Sequence, residues 1–438
     1  MEIEKNGFSF LLKQVGVHFG DALIEVDNRY IKKLYTEASL AQQAHTSTQG
    51  FFNGGTPISY IEKNFQPHLL EHIKEFVYRY FVLNQLAKEV TQRKILLAGQ
   101  PRITDIYVQL EEHAKYSFSL PLMQSIPLQG WKRLPFKAPK RKNYKDLDKQ
   151  VENFLKDEAI AQKKAIAQQI SMGDWVQFTV ALLDRSGNYL FDNYKEILWV
   201  KVGVEEIDLP LQNLFVGRKK GDVIKTDSSF LQEYFSSHVD THYLFEVVIL
   251  DFVQQAYFDV EQFKKHFRLR NNKELHQKLI EVFSFRNDIS QRRAMAEDTL
   301  KLLLTRHQFE VPNHLVLRRQ KELLDLIQDN PDYQVYKMQE DFMEKIKILA
   351  TKQIKEDIFM LQLALHEELE VTDEDIKLYL NLTKRQRTRE FIHFQLPSTK
   401  SQGQEFPFSQ AVMVHHCLRE KALNYAIYYL TKQRIATV

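Results

Sequence analysis

The first candidate functional site is a group of aromatic side chains in the middle of the chain. Its members are Phe178, Phe191, Tyr234 and Phe245. Together they could line an apolar pocket, which removes water from whatever it binds. The same rings would also suit the packed core of a small β-rich domain. Composition alone leaves both interpretations open.

The segment GFFNGGTP is the second candidate site. Its three glycines allow positive φ angles, and Pro57 prepares the start of the following helix. Such a turn between two helices can present Phe51 and Phe52 to solvent as a docking tip. A tight turn with both rings folded back is the alternative.

His415, His416 and Cys417 are the residues best suited by type to hold a metal ion. Metal ligands on a helix need a spacing of three or four residues to share a face, whereas consecutive residues diverge. We interpret the three as one core residue beside two surface residues and expect no metal. Cys417 is the only cysteine, so no internal disulfide can form and a reducing compartment fits best.

Several enzyme signatures are missing from the sequence. It has no GxxxxGK[ST], GxGxxG, HExxH, GxSxG or CxxC motif, which argues against nucleotide-binding, zinc-protease and serine-hydrolase classes. We expect no cofactor. The 60 Lys and Arg nearly balance the 57 Asp and Glu, which excludes a strongly cationic protein. Neither a long apolar stretch nor a secretory signal is present, so we expect a cytoplasmic protein with no membrane partner.

Glycine and proline are unevenly distributed over the 438 residues. Residues 253–438 hold only five of the 26, so this region is predicted to form long helices. Residues 171–252 are β-rich, with strands predicted over Trp175–Leu183 and Tyr243–Phe252. The stretch Trp131–Lys145 holds seven Lys or Arg and no acid. We interpret it as a solvated linker, with contact to nucleic acid as the alternative.

Short motifs follow one another in a fixed order along the chain. Residues 50–57 keep the Gly, Phe, Gly and Pro places of a G-F-R-x-G-x-x-P pattern. The further stretches are Tyr116–Leu120, Ile126–Gly130, Phe309–Pro312, Arg318–Gln320 and Glu368–Asp375. This succession resembles the trigger factor family of bacterial ribosome-associated chaperones, and the resemblance covers nearly the whole chain.

The resemblance implies an α+β multidomain fold. Residues 1–130 would form a ribosome-binding α+β domain, and residues 131–170 a basic linker with a helix that packs on the C-terminal body. Residues 171–252 would form an inserted FKBP-like, β-rich peptidyl-prolyl isomerase domain, and residues 253–438 a long-helix chaperone domain. The implied partners are the ribosome, on its large subunit near the exit tunnel, and nascent or unfolded polypeptides. A homodimer is left open.

The resemblance also implies a ribosome-binding loop. Its residues would be Gly50, Phe51, Phe52, Asn53, Gly54 and Pro57. The family normally carries basic residues where this chain has Phe52 and Asn53. Because ribosomal RNA is anionic, fewer cations predict weaker docking, with the two phenylalanine rings supplying an apolar contact.

The implied isomerase pocket has a second departure from the family pattern. Its residues would be Phe178, Phe191, Leu211, Tyr234 and Phe245. Family pockets carry an I-P-G-F segment, whereas Leu209–Gln212 lacks the Gly and the Phe. Rotation about an X–Pro bond needs no nucleophile, only a pocket that binds the twisted amide better than the planar one. A pocket without its aromatic lid predicts weak or lost isomerase activity.

The function predicted from these motifs is that of an ATP-independent chaperone of the trigger factor type, which aids folding and export. It would hold unfolded segments through many weak apolar contacts. Two alternatives remain open. One is an enzyme whose main task is prolyl isomerisation, with the helical arms recruiting substrate. The other is a scaffold or holding chaperone that has lost contact with the ribosome.

Overall fold

The computed structural model describes residues 7–140, 146–165, 168–191, 194–236, 242–328 and 330–432. Residues 141–145 of the predicted basic linker lie outside these ranges. The helices are α1 (Asn28–His45), α2 (Ile58–Asn64), α3 (Gln66–Val77), α4 (Leu83–Gln92), α5 (Leu147–Lys164), α6 (Leu209–Phe215), α7 (Ser229–Phe235), α8 (Val260–His266), α9 (Asn272–Phe283), α10 (Gln291–Arg306), α11 (Asn313–Gln328), α12 (Tyr333–Lys337), α13 (Phe342–His366), α14 (Asp373–Thr383), α15 (Gln386–Arg389) and α16 (Gln410–Lys432). The strands are β1 (Phe8–Gln14), β2 (Phe19–Val26), β3 (Arg102–Tyr107), β4 (Ala114–Pro121), β5 (Trp175–Leu183), β6 (Glu196–Lys201), β7 (Val223–Thr226), β8 (Leu244–Val253), β9 (Phe285–Arg286), β10 (Ile289–Ser290), β11 (Lys400–Ser401), β12 (Gln404–Glu405) and β13 (Phe408–Ser409).

The N-terminal section is an antiparallel sheet covered by helices. Its strand order is β1–β2–β4–β3. Helix α1 begins after Asp27, whose side chain accepts a hydrogen bond from the Arg29 amide and so caps the helix. Beyond the 50–57 loop, α3 and α4 run on through a π-helical turn, Tyr78–Val82. Such a turn shifts the side chains that follow it out of the ordinary helical register.

A second antiparallel sheet lies in the middle of the molecule. Its order is β13–β6–β5–β8–β7, so β5 is the central strand. All nine residues of β5 are buried. Phe178, Val180 and Leu182 point to one face of the sheet and Trp175 to the other, because side chains alternate along a strand.

The central strand of this second sheet is buried on both faces. One face shares a continuous hydrophobic core with the N-terminal helices, including Phe76 and Tyr80. The other face packs Trp175 and Trp199 against residues of the helical section such as Met413. Each of these two cores contains residues from more than one of the domains expected from the sequence, whose boundaries were placed at residues 130, 170 and 252. Those domain boundaries stay predictions.

Residues 253–438 are mainly helical, as their low Gly and Pro content predicted. Within this helical section, α13 packs against α11 and α16. It also contains elements that the composition did not predict: the hairpins β9–β10 and β11–β12, and the strand β13. Phe408 of β13 pairs with Trp199 of β6, which adds a strand from the helical section to the second sheet. No helix in the described part of the chain is both long and apolar enough to cross a bilayer.

The Glu367 carboxylate bonds to the start of the linker and to the helical body. Glu367 at the end of α13 accepts hydrogen bonds from Trp131 Nε1 at 2.9 Å and from Tyr425 Oη at 2.8 Å. It also forms an ion pair with Lys132. Burial opposes the ionisation of Glu367, but the hydrogen bonds from Lys132, Trp131 and Tyr425 outweigh it and lower its pKa to about 2.

We expect Glu367→Gln to lower the free energy of unfolding by about 1–3 kcal/mol at pH 7, because it removes a charge-assisted acceptor. The native pKa lies below the unfolded value of about 4.5, so the stabilisation is present above pH 4.5 and is lost as the pH falls toward 2. Urea unfolding of both proteins from pH 7 to pH 2.5 measures this difference. Glu368→Gln, at the exposed neighbour, is the control. Equal stabilities at pH 7, or a gap that persists at low pH, would contradict the assignment.

Candidate functional site

The residues of the expected isomerase pocket lie in the core of the second sheet. Phe178, Phe191, Leu211 and Phe245 are buried, and Tyr234 is half-buried. Phe178 and Phe245 share one face of the sheet, since Phe178 lies opposite Ile249 and Phe245 opposite Leu182. The structure thus brings these side chains to the same side of the sheet or to its rim.

Three aromatic side chains from the N-terminal helices pack against aromatic residues at the border of this cluster. We name this set the helical plug: Phe76 from α3, and Tyr80 and Phe81 from the π turn. The ring centroid of Phe81 lies 5.0 Å from that of Phe191. The ring centroids of Tyr80 and Phe76 lie 5.1 and 5.5 Å from that of Phe235. These separations are those of packed aromatic pairs.

The Tyr80 hydroxyl bonds to the backbone of β5. It accepts a hydrogen bond from the Leu182 amide at 3.2 Å, and its single proton lies within reach of two carbonyl oxygens, those of Val180 and Tyr194, each at 3.4 Å. Pairing between β5 and β6 ends at Val180 and Glu196, so the hydroxyl satisfies the Leu182 amide beyond the end of that pairing. Burial raises the pKa of Tyr80, which keeps the hydroxyl protonated.

Ionisable side chains lie next to the same cluster. Arg79 donates to the Tyr234 carbonyl at 2.6 Å and forms an ion pair with Glu75 at 2.7 Å. Glu196 is buried on β6 beside Tyr80, and burial raises its pKa well above the ordinary range, which favours the protonated acid. Sequence reasoning missed the helical plug, Arg79 and Glu196. The run Tyr78–Val82 marks a buried helix but does not say what the helix packs against.

A segment of the helical section covers the rim of the cluster from another side. The ring of Phe406 lies 5.3 Å from that of Tyr234. The amide of Glu405 donates to Asp208 Oδ1 at 2.9 Å, directly before the Leu209–Gln212 segment. Four of the five expected pocket residues therefore lie in a closed core, and Tyr234 lies half-buried at its rim. Their assignment as an isomerase pocket stays a prediction.

The 50–57 loop stands out from the N-terminal section between α1 and α2. Phe52 is 81% exposed and Phe51 is 39% exposed. The ring centroid of Phe51 lies 5.9 Å from that of Tyr60. Gly50 and Gly54 have φ angles of 92° and 79°. These values favour glycine, and they turn the chain so that Phe52 lies at the tip.

Hydrogen bonds fix the base of this loop while its tip stays exposed. Gln43 of α1 donates to the Thr56 carbonyl at 2.6 Å, and the Thr48 and Thr56 hydroxyls bond to each other. The ring of Phe52 lies over Gly55, where a Cβ would approach Phe52 Cζ to 2.6 Å. All six residues expected to bind the ribosome are exposed: Gly50, Phe51, Phe52, Asn53, Gly54 and Pro57.

A third surface lies on the helical arm, which we define as α11, α12 and α13. It carries exposed apolar side chains: Leu317, Leu326, Val335, Tyr336, Met338, Met343, Ile348 and Leu349. Met338 is 84% exposed and Leu326 is 70% exposed. Their concentration within residues 317–349 distinguishes the arm from a surface with scattered single apolar residues.

The His415–Cys417 cluster lies on α16. Cys417 is buried, His415 is exposed, and Arg419 Nη2 donates to His416 Nδ1 at 2.6 Å. The two histidines and the cysteine thus occupy different environments. Across the ranges given above, no three His, Cys, Asp or Glu side chains are arranged to hold a metal ion.

Known proteins resemble this chain over most of its length. Residues 20–157 match the family model described as bacterial trigger factor protein, and residues 272–391 match the one for its C-terminus. A trigger factor from Geotalea daltonii is 19% identical over 412 residues, covering 89% of each chain. One from Kosmotoga olearia is 22% identical over 377 residues, covering 81% of this chain and 77% of that one.

Among solved structures, one described as "Promiscuous Substrate Recognition in Folding and Assembly Activities of the Trigger Factor Chaperone" is 15% identical. It covers 95% of this chain and 99% of its own, with a TM-score of 0.37, which does not establish a shared overall arrangement. The two family models together span more than half of the chain, in the order expected from its motifs. The chain belongs to the trigger factor family.

Proposed function

We propose that the protein is a chaperone that holds unfolded and nascent polypeptides without consuming ATP. The observation that carries this proposal is the exposed apolar surface of the arm, residues 317–349. Apolar side chains of this number are unfavourable in water unless a partner covers them. Met338 and Met343 are flexible and polarisable, so they can adapt to segments of different shape.

Holding by the arm needs no chemical step. Unfolded segments expose apolar side chains, and covering them delays aggregation. Many weak contacts, none of them specific for one shape, suit a broad range of partners. The missing phosphate-binding motifs agree with a mechanism that uses binding energy alone.

The arm is tested by the variant Leu326→Ser/Val335→Ser/Met338→Ser. We expect about tenfold weaker suppression of aggregation of a denatured client protein, if each side chain contributes about 0.5 kcal/mol. The thermal midpoint should hardly change, because all three side chains are exposed. The control is Ile160→Ser/Val204→Ser/Val223→Ser, at exposed apolar residues elsewhere. No suppression by the unmodified protein, or equal loss in both variants, would overturn the proposal.

Docking to the ribosome through the 50–57 loop is the second part of the proposal. It rests on the family resemblance and on the exposure of Phe51 and Phe52 at a loop with a fixed base. The tip carries no cation between Gly50 and Pro57, so contact with anionic RNA would contribute little there. We propose that the two rings insert into an apolar site on the ribosome, with weak dependence on salt.

Co-sedimentation with ribosomes over a salt series tests this docking. We expect Phe51→Ala/Phe52→Ala to weaken co-sedimentation about tenfold, because two exposed rings lose their apolar contact. Val15→Ala/Val17→Ala alters an equally exposed apolar pair on the β1–β2 hairpin and should leave binding unchanged. If the unmodified protein fails to co-sediment even at low salt, the ribosome part of the proposal is wrong and a free holding chaperone remains.

The isomerase activity implied by the family resemblance is not favoured by the site. Catalysis would need a cleft that admits a proline. The ring of Phe178 instead packs on that of Phe215 at 4.9 Å, and the ring of Phe245 packs on that of Phe235 at 5.7 Å. The helical plug in turn packs on Phe235 and Phe191. We therefore propose that the second sheet serves as the structural centre of the molecule and turns over prolyl peptides weakly or not at all.

A prolyl-peptide isomerisation assay on the full chain tests this assignment. We expect relaxation at the uncatalysed rate, which takes tens of seconds or longer at 25 °C. The contradictory result would be a rate that rises with protein concentration and falls in Tyr234→Ala, the half-buried residue at the rim. Tyr60→Ala, at an exposed tyrosine outside the cluster, is the matched control.

A further inference from the structure

A short segment of the helical section lies across the rim of the aromatic cluster on the second sheet. We name residues 405–409 the strap. The ring of Phe406 packs on that of Tyr234, with their centroids 5.3 Å apart. Tyr234 in turn packs on Phe235 at 4.9 Å, and Phe235 packs on Phe245 at 5.7 Å. The strap is therefore the outermost member of a continuous row of packed rings that leads into the cluster.

A proline follows this outermost ring. Pro407 is buried directly after Phe406. Because proline has a fixed φ angle and no amide hydrogen, it donates nothing to a neighbouring strand and loses little freedom when it is held. Pairing with β6 accordingly begins only at the next residue, Phe408, which lies opposite Trp199. The rim thus holds an aromatic residue followed by a proline, and X–Pro bonds are those on which prolyl isomerases act.

Both ends of the strap are anchored. On one side the amide of Glu405 donates a hydrogen bond to Asp208 Oδ1 at 2.9 Å. On the other side residues 408–409 pair with β6 in antiparallel register. Because the bond between Phe406 and Pro407 lies between these two anchors, the strap holds the dipeptide at the rim as a bound ligand rather than as a substrate that exchanges with solvent.

The attachment of the strap to the second sheet is incomplete. Asp208 and Glu405 are both buried, yet Asp208 Oδ2 and Glu405 Oε2 have no hydrogen-bond partner among the described residues. A buried carboxylate oxygen without a partner lowers stability. A cavity of about 310 Å³ also lies beside Glu405 and Lys400. The strap is therefore bound less tightly than full satisfaction of these groups would allow, which suits a segment that can leave the rim.

We propose that the strap is an intramolecular ligand of the rim, and that the rim binds free peptides with an aromatic residue before proline once the strap has left. This inference rests on the assignment above of a second sheet that turns over prolyl peptides weakly or not at all, and it names the segment that keeps the rim closed. A free peptide and the strap would compete for the ring of Tyr234. The affinity for the peptide is therefore reduced by the fraction of molecules in which the strap is in place.

Binding of a labelled peptide with the sequence of residues 403–411 tests the proposal. We expect the strap variant, Phe406→Ala/Pro407→Ala, to bind this peptide about tenfold more tightly than the unmodified protein, which corresponds to a rim that is closed in about nine molecules of ten. A second peptide, in which the first phenylalanine and the proline are exchanged, has the same composition and should bind both proteins alike. The exchange separates the rim from the apolar arm, which would hold both peptides through their composition.

Three further variants place the effect at the rim. Phe309→Ala/Pro312→Ala removes a half-buried phenylalanine and a buried proline elsewhere in the helical section and should leave the affinity unchanged. Tyr234→Ala, added to the strap variant, should abolish the gain because it removes the ring on which the peptide packs. Lys400→Ala removes only an exposed ion pair with Glu205 and should raise the affinity about twofold, so it decides the question if the strap variant fails to fold.

The outcomes separate this inference from the assignment on which it rests. If the strap variant binds the peptide no better than the unmodified protein, or if Phe309→Ala/Pro312→Ala gains as much, the strap is not a ligand of the rim, while the assignment of weak isomerase activity stands. A gain that persists after Tyr234→Ala would place the peptide elsewhere and would also overturn the inference. Isomerisation that rises with the concentration of the unmodified protein would instead remove the assignment itself, because the rim would then be open with the strap in place.

Discussion

The burial of β5 on both faces is the constraint on which the rest of the structure depends. A strand buried on both sides must find apolar partners above and below the sheet. The N-terminal helices supply one layer through the helical plug, and the helical section supplies the other through residues such as Met413. The three sections are therefore held together by one sheet rather than strung along a linker.

This arrangement changes what the aromatic residues of the sheet can do. A catalytic cleft needs an apolar face open to a substrate, whereas a structural centre needs the same face closed. Tyr80 satisfies the backbone of β5 at Leu182, and its ring packs on Phe235, so it helps to close the aromatic cluster. The two exposed apolar surfaces described above, the 50–57 loop and the arm, both lie at a distance along the chain from the sheet.

The sequence predicted the elements that depend on local patterns. The strand predicted over residues 175–183 is β5, and the region of low Gly and Pro content is mainly helical. Of the three glycines for which the sequence allowed a positive φ, Gly50 and Gly54 adopt one and Gly55 does not. The contact between Tyr80 and Leu182 could not be predicted, because the two residues are 102 positions apart. Neither residue carries a local signal of its partner. The alternation of β5 shows which side chains share a face but not which helix will cover them.

Strand β13 has a consequence for the synthesis of the protein itself. Trp199 Nε1 on β6 donates a hydrogen bond to the side chain of Gln410. Gln410 directly follows β13 and lies 211 residues after Trp199 in the sequence. At roughly 5–20 residues per second, translation separates these two residues by roughly 10–40 s. Throughout that time the edge of β6 has no partner from β13, and an unpaired edge can join another chain. The nascent protein can therefore aggregate through this edge until residues 408–409 have been synthesised and have paired with β6.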